Sequence, residues 1–398
     1  MGQGMGTQAT DVLVIGGAVM GASIAFWLTR MQPGLQVTVV EMDPSYARSS
    51  TALSAASIRQ QFSNPVNVQI SRFGVEFIRD FQGSLGQEVG VPSLGLKENG
   101  YLFLAETAEG AALMEDLAAM QRGLGAETMV LSPAEIAARF PWIETAGLSA
   151  GSYGPRLEGW FDNMGLLAGF RAAARAQGAR FLSDRVIGME REGGRVRAAV
   201  LEKAGRVEAA SFICAAGTRA AAVLQMLDED LPVEPRKRTV FMVDAPNARH
   251  PGAPMVIDPA GYWMRPEHSQ WLTATVPSED GPCAPEDFEP DAGQFEELIW
   301  EKIWNRIPGF DEAKVTRLWA GHYAYNTLDQ NAILGRHPRI GNLFLMNGFS
   351  GHGLQQAPAV GRGIAELLLT GAYQSLDLSP LGVERVLEGR PFLEQAIV

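Results

Sequence analysis

The chain has 398 residues, 46% of them apolar, and a formal net charge of −12. That length exceeds one ordinary core and predicts two domains, while the negative charge argues against a nucleic-acid partner. Two cysteines, Cys214 and Cys283, cannot build a disulfide framework, no Cys/His spacing suits a metal, and no apolar run reaches the ~18 residues of a membrane span.

The opening Met-Gly-Gln-Gly-Met-Gly-Thr lacks the basic and apolar parts of a targeting segment, so a cytoplasmic location is expected. Asp11-Val-Leu-Val-Ile15 is an apolar strand that runs into Gly-Gly-Ala-Val-Met-Gly21 and a helix. Val37-Thr-Val-Val-Glu41 is a second strand, and together they form the entrance of a dinucleotide-binding βαβ unit. Gly16 permits the tight turn, and Gly17 and Ala18 leave room for a pyrophosphate against the N–H groups of the following helix. Gly21 lets that helix pack on the sheet. Ala18 replaces the middle glycine of the motif and narrows the approach. Glu41 stands where a carboxylate can accept both hydroxyls of an adenosine ribose. The segment from Asp43 to Ser57 is dense in small and hydroxylated residues and suits either a ligand-side loop or a mobile linker.

An apolar stripe predicts a helix over 65–81, followed by a strand at 100–105 and a helix at 110–124. A helix at 169–177 ends at Gly178, with strands at 179–182 and 186–190 and a hairpin of 196–201 with 206–211. Positions 212–217 form another buried strand, with Cys214 as an inert thiol, before a helix at 219–226. The block 232–276 is strand-rich, 277–290 is an acidic, proline-rich loop, and 294–306 is an amphipathic helix. Trp304 and Trp319 are assigned to the core, and Arg236-Lys-Arg238 to a solvated or ion-paired strand entry. A strand at 342–346, the turn Asn347-Gly-Phe-Ser-Gly-His-Gly353 and an apolar helix to 369 return to the first style. This alternation predicts an α/β Rossmann-like domain interleaved with an α+β domain built on an antiparallel sheet. The first would comprise 10–85, 141–230 and 319–398, and the second 86–140 and 231–318.

In this order the motifs resemble the flavin-dependent amino-acid oxidoreductase superfamily of D-amino-acid oxidase, glycine oxidase and sarcosine oxidase. Ser57-Ile-Arg-Gln-Gln-Phe-Ser63, Glu158-Gly-Trp-Phe-Asp162, Leu231-Pro-Val-Glu-Pro-Arg-Lys-Arg238, Tyr325-Asn-Thr-Leu-Asp-Gln-Asn331 and Gly348-Phe-Ser-Gly-His-Gly-Leu-Gln-Gln-Ala-Pro358 are similar to the FAD-dependent oxidoreductase domain-containing proteins. The mitochondrial member of that group is linked to assembly of respiratory complex I. The resemblance implies FAD held without a covalent bond. Gly321 stands where some relatives carry an attaching Cys, and no His lies between Gly16 and Ser63. The implied cofactor contacts are Gly16, Gly17, Ala18, Val19, Met20, Glu41 and Met42, then Ser50, Thr51, Ser54, Ala55, Ala56, Ser57 and Ile58. Val186, Ala215, Ala216, Gly217, Gly348, Gly351, His352, Gly353, Leu354 and Gln355 complete the set, and no metal is implied.

The helix start at Gly351-His352-Gly353-Leu354 would stabilise negative charge on the reduced flavin, unless these glycines form a plain turn. His352 is either a hydrogen-bonding flavin neighbour or a proton donor. Arg59 resembles by position the arginine that holds the substrate carboxylate in sarcosine oxidase, a task suited to a guanidinium fork; a surface ion pair is the other reading. Gln355 replaces an assisting lysine of that enzyme. Tyr262, Tyr323 and Tyr325 are expected to wall the substrate, with either Trp263 or Arg265 facing the cavity. The implied reaction oxidises the C–N bond of an amino acid or a sarcosine- or iminodiacetate-like secondary amine to an imine, which water hydrolyses. Strand 271–275 has no Lys like the one sarcosine oxidase uses for oxygen, so a quinone or an electron-transfer protein is expected as acceptor beside oxygen. The alternatives are a nicotinamide-dependent dehydrogenase and a non-catalytic assembly factor for a respiratory complex.

Overall fold

The computed structural model describes residues 8–395; Met1–Thr7, the stretch without targeting features, lies outside them. Strand Gln8–Ile15 has parallel partners on both sides, Val37–Glu41 and Gly205–Cys214. Val12, Leu13 and Val14 are buried, because a central parallel strand covered on both faces is apolar throughout. Across the sheet the order is Ile333–Arg336, Leu343–Asn347, Gly205–Cys214, Gln8–Ile15, Val37–Glu41 and Arg180–Ser183. Val186–Glu192 and Arg195–Leu201 fold against the strand Gly205–Cys214 as an antiparallel pair.

Positions 206–211 and 212–217, expected as separate elements, share one strand, Gly205–Cys214. Its first half pairs with the antiparallel hairpin and stays partly exposed, while its second half pairs in parallel with Leu343–Asn347 and is buried. The pattern changes because the environment changes, not the backbone. Helix Val19–Met31 packs against helices Asn163–Ala176 and Gly353–Thr370. A Cβ at Gly21 would lie 1.8 Å from the Gly16 carbonyl oxygen, so only glycine allows this helix so near the turn.

The second sheet runs Lys314–Asn326, Val233–Asp244, Gln270–Thr275, Tyr262–Glu267, Met255–Asp258, Tyr101–Ala105, Ala150–Gly154 and Met129–Leu131. It is antiparallel except where Met255–Asp258 meets Tyr101–Ala105. Two expected boundaries therefore move. Ala150–Gly154 pairs with Tyr101–Ala105, so the second domain continues past 140. Lys314–Asn326 pairs along its whole length with Val233–Asp244, so a division at 318/319 would cut a single strand.

The segment 294–306 opens with a π turn, Phe295–Ile299, before the helix Trp300–Arg306. Its buried stripe is Phe295, Ile299 and Ile303, whereas Trp304 lies one residue off that stripe and is 45% exposed, not core. Trp319 is half-buried and donates to the Leu53 carbonyl at 3.2 Å. The basic cluster clamps the acidic loop: Arg236 and Arg238 reach Asp280 at 3.1 and 2.6 Å, and Lys237 reaches Asp287 at 2.8 Å. Among the described residues no helix is long and apolar enough to cross a membrane, and no side-chain cluster suits a metal ion.

Candidate active site between the two sheets

A cavity of about 1030 Å³ lies between the loops of the first sheet and one face of the second. Two helices begin at it without a capping side chain from their N-cap residues, Val19–Met31 after Ala18 and Gly353–Thr370 after His352. Their first N–H groups and dipoles favour negative charge there. Gly16 has φ +97°, and a Cβ on it would lie 2.4 Å from the Ala215 carbonyl oxygen. The Val19 N–H donates to Thr51 Oγ1 at 3.2 Å. Glu41 accepts the N–H groups of Gly17 and Asp43, both at 2.8 Å. A carboxylate has about four acceptor positions, so it retains capacity for ribose hydroxyls.

The structure brings most of the expected cofactor residues to this cavity. They are Gly16, Ala18, Val19, Met20, Glu41, Met42, Ser50, Thr51, Ser54, Ala55, Ser57, Val186, Ala215, Ala216, Gly217 and the run Gly351 to Gln355. Four stand behind the wall. The Gly17 N–H is turned to Glu41, and Ile58 is fully buried in the first core. Ala56 sits at φ +59° with its carbonyl accepting from Phe161 N–H. Gly348, at φ +69°, faces Asn326, Ile333 and Val233. Gly321 faces Leu53, whose Cβ would be 3.0 Å from an added Cβ.

At one end of the cavity sits Arg59, buried with its guanidinium 4.3 Å from the Phe62 ring centre and 5.4 Å from that of Phe103. It is no surface ion pair. Nη1 donates to the Gln61 carbonyl at 2.7 Å, and Nη2 lies 3.0 Å from His352 Nε2. Burial disfavours its charged form, which increases the gain when an anion reaches it. Gln355 holds the segment in place, its Oε1 accepting from the Arg59 N–H at 2.9 Å and Ser71 Oγ at 3.2 Å. Tyr323 lines the cavity and packs against Gly351, where a Cβ would be 2.8 Å from the ring.

Three expected wall residues are elsewhere. Tyr262 is buried on the opposite face of the second sheet, its hydroxyl 3.4 Å from Asp258 Oδ2. Alternation along the strand sends its neighbour Trp263 to the cavity instead. Tyr325 accepts from Gln330 at 2.6 Å under the Arg236 guanidinium. Arg265 shares the face of Trp263 but lies over Trp160 and donates to the Ala55 carbonyl at 2.9 Å.

Two buried carboxylates escaped sequence reasoning. Glu158 accepts from the N–H groups of Gln60 and Gln61 at 2.6 and 3.1 Å and from Gln61 Nε2 at 2.8 Å. Burial raises it to about 7 against those hydrogen bonds. Glu394 accepts from Ser63 N–H and Oγ and from Asn67. Burial opposes its charge, but these donors hold it below the ordinary carboxylate range. The two clamp the segment carrying Arg59 from either side. Glu158 stood within the string Glu158-Gly-Trp-Phe-Asp162, but its role depends on a contact 98 residues away in sequence.

The family model described as FAD dependent oxidoreductase matches residues 11–367. FAD-dependent oxidoreductase domain-containing protein 1 of Bos taurus is 39% identical over 98% of this chain and 87% of its own length. Glycine oxidase of Bacillus licheniformis is 25% identical over 90% of this chain and 93% of its own. The structure of L-proline dehydrogenase from P. horikoshii superposes with a TM-score of 0.84 at 26% identity, covering 97% of this chain and all of that one. The two helix starts, whose N-cap residues supply no capping side chain, the Gly16 turn and Glu41 fit the phosphates and ribose of FAD, and the nicotinamide alternative is set aside. The chain belongs to the FAD-dependent oxidoreductase family, with an FAD-binding Rossmann-like domain and a second, sheet-based domain.

Proposed function

We propose that the protein oxidises the C–N bond of an amino acid or N-substituted amino acid. The observation that carries this reading is the buried Arg59 guanidinium, opening on the same cavity as the uncapped helix start at Gly353. Bound FAD supplies the two-electron acceptor, so that the substrate becomes an imine by losing a hydride from carbon and a proton from nitrogen. Arg59 holds the substrate carboxylate, and Gln355 and His352 orient Arg59. The N–H groups of Gly353 and Leu354, at a helix start that lines the cavity, would stabilise negative charge on a bound flavin. Burial raises Tyr101 and Tyr323 above their ordinary values, so both remain protonated and neither serves as a base near neutral pH. The amine proton leaves to water. Water then hydrolyses the imine to a carbonyl compound and an amine. Similarity to a glycine oxidase supports the class, and the absence of Cys at Gly321 supports non-covalent FAD.

Anaerobic mixing of the purified yellow protein with a panel of primary and secondary amino acids tests this. Bleaching of the flavin by amines supports it. Bleaching by hydroxy acids alone overturns it, and a flavin that no small molecule reduces favours an assembly factor.

A further inference from the structure

The loop 50–57 of the first domain forms part of the cavity wall, and donors from other elements hold most of its carbonyls. Asn163 Nδ2 reaches those of Thr51 and Ala52 at 2.7 and 3.3 Å, and the Phe161 N–H reaches that of Ala56 at 3.0 Å. Two donors come from the second sheet. Trp319 Nε1 binds the Leu53 carbonyl at 3.2 Å, and Arg265 places Nε and Nη2 on the Ala55 carbonyl at 3.2 and 2.9 Å. Arg265 is buried, its guanidinium lies 5.0 Å from the Trp160 ring centre, and its charge is met by Glu267.

These contacts decide which peptide groups remain for a ligand. A planar trans peptide points its carbonyl and the next N–H in opposite directions. Holding the Leu53 carbonyl therefore directs the Ser54 N–H away from Trp319. Holding the Ala55 carbonyl directs the Ala56 N–H away from Arg265, and it meets Ser54 Oγ at 3.0 Å. Between the two held peptides lies the Ser54–Ala55 peptide. Its carbonyl and its N–H have no hydrogen-bond partner among the described residues, and both residues line the cavity. Such a peptide keeps one donor and one acceptor for whatever fills the cavity. The turn is also held under strain. Ala56 has φ +59°, a left-handed conformation that a residue other than glycine keeps only where its surroundings impose it.

We propose that Arg265, assisted by Trp319, is a positioning residue for the cofactor. From the second domain the two hold the Ser54–Ala55 peptide free for the flavin of bound FAD. Arg265 is not part of the cavity wall and acts through Ala55, whereas its strand neighbour Trp263 lines the cavity directly. The grip of the first domain on its cofactor thus depends on the docking of the second. This goes beyond the C–N oxidation reading and holds for whichever substrate the flavin oxidises.

The test compares the FAD-loaded parent with Arg265→Lys, Arg265→Met and Trp319→Phe. Free-flavin fluorescence on serial dilution gives the FAD dissociation constant, and reference dyes give the midpoint potential of the bound flavin. Arg265→Met should raise the dissociation constant ~10-fold. Arg265→Lys should recover part of this, because an ammonium lacks the planar fork that sets two donors on one carbonyl. Trp319→Phe keeps a ring, loses the donor, and should weaken FAD by a smaller factor. In all three the midpoint potential should fall, because displaced N–H groups no longer favour the negative charge of reduced flavin. A lowered urea midpoint with unchanged dissociation constant and potential would make these contacts domain bonds alone and overturn the proposal. Should Arg265→Met not fold, Arg265→Lys and Trp319→Phe decide it by the same two readings. No substrate enters the measurement, so failure here leaves the C–N oxidation reading untouched.

Discussion

Arg59 Nη2 and His352 Nε2 lie 3.0 Å apart in a buried contact. A guanidinium can only donate, so Nε2 accepts and the ring proton sits on Nδ1. Burial and the adjacent Arg59 charge lower His352 to about 3. Of the two roles open to His352, this geometry favours the hydrogen-bonding neighbour over the proton donor. The pH profile of flavin reduction should show no step from His352 between about pH 5 and 9. A step near 6.5 that disappears in His352→Asn would reverse that assignment.

Arg59→Ala should retain flavin and lose substrate. A desolvated bidentate contact is worth about 2–4 kcal/mol, so apparent substrate affinity should fall ~30- to 1000-fold. Arg59→Lys should recover only part, because an ammonium cannot form the fork. Apoprotein with unchanged substrate behaviour after reconstitution would place Arg59 in the cofactor shell.

Glu158 gives stability a pH dependence of unusual sign. Its carboxyl is raised by burial from 4.5 to about 7, so the folded state binds the extra proton. Its contribution to stability is fully present below about 4.5 and falls as pH rises to about 7, by roughly 3 kcal/mol. Relative to the parent protein, Glu158→Gln should therefore gain in urea midpoint across that interval. A constant difference from pH 4.5 to 7 would mean that Glu158 stays ionised.

Gly16→Ala should yield protein depleted in FAD. The added methyl would meet the Ala215 backbone at 2.4 Å, and φ +97° is itself strained for alanine. Flavin content per protein, read from absorbance, should fall well below that of the parent. Full occupancy would show that the turn can move without disturbing the pyrophosphate site.

Reoxidation by air should be slow. The strand Gln270–Thr275 brings Ala274 and Thr275 to the cavity, and neither carries a positive charge to stabilise superoxide. A soluble quinone should reoxidise the substrate-reduced protein faster than air-saturated buffer does. Reoxidation within milliseconds to seconds, with stoichiometric peroxide, would contradict this.

The first βαβ unit was legible in the residues themselves because its constraints are local: an apolar central strand, Gly16 at positive φ, Gly21 against the turn, and Glu41 ending the next strand. Arg59, Gln355 and His352 could be named for the same reason, each lying within a short distinctive string. What the sequence alone could not decide was which face a strand turns to the cavity, since adjacent residues point opposite ways and one position exchanges Tyr262 for Trp263. It also could not reveal that 314–326 forms a single long strand, or that Glu158 and Glu394 grip the Arg59 segment. Those features depend on pairings between residues roughly 70 to 330 positions apart. Only closure of the two sheets around the cavity creates them, because a buried carboxylate or a strand face acquires its meaning from the partner that covers it.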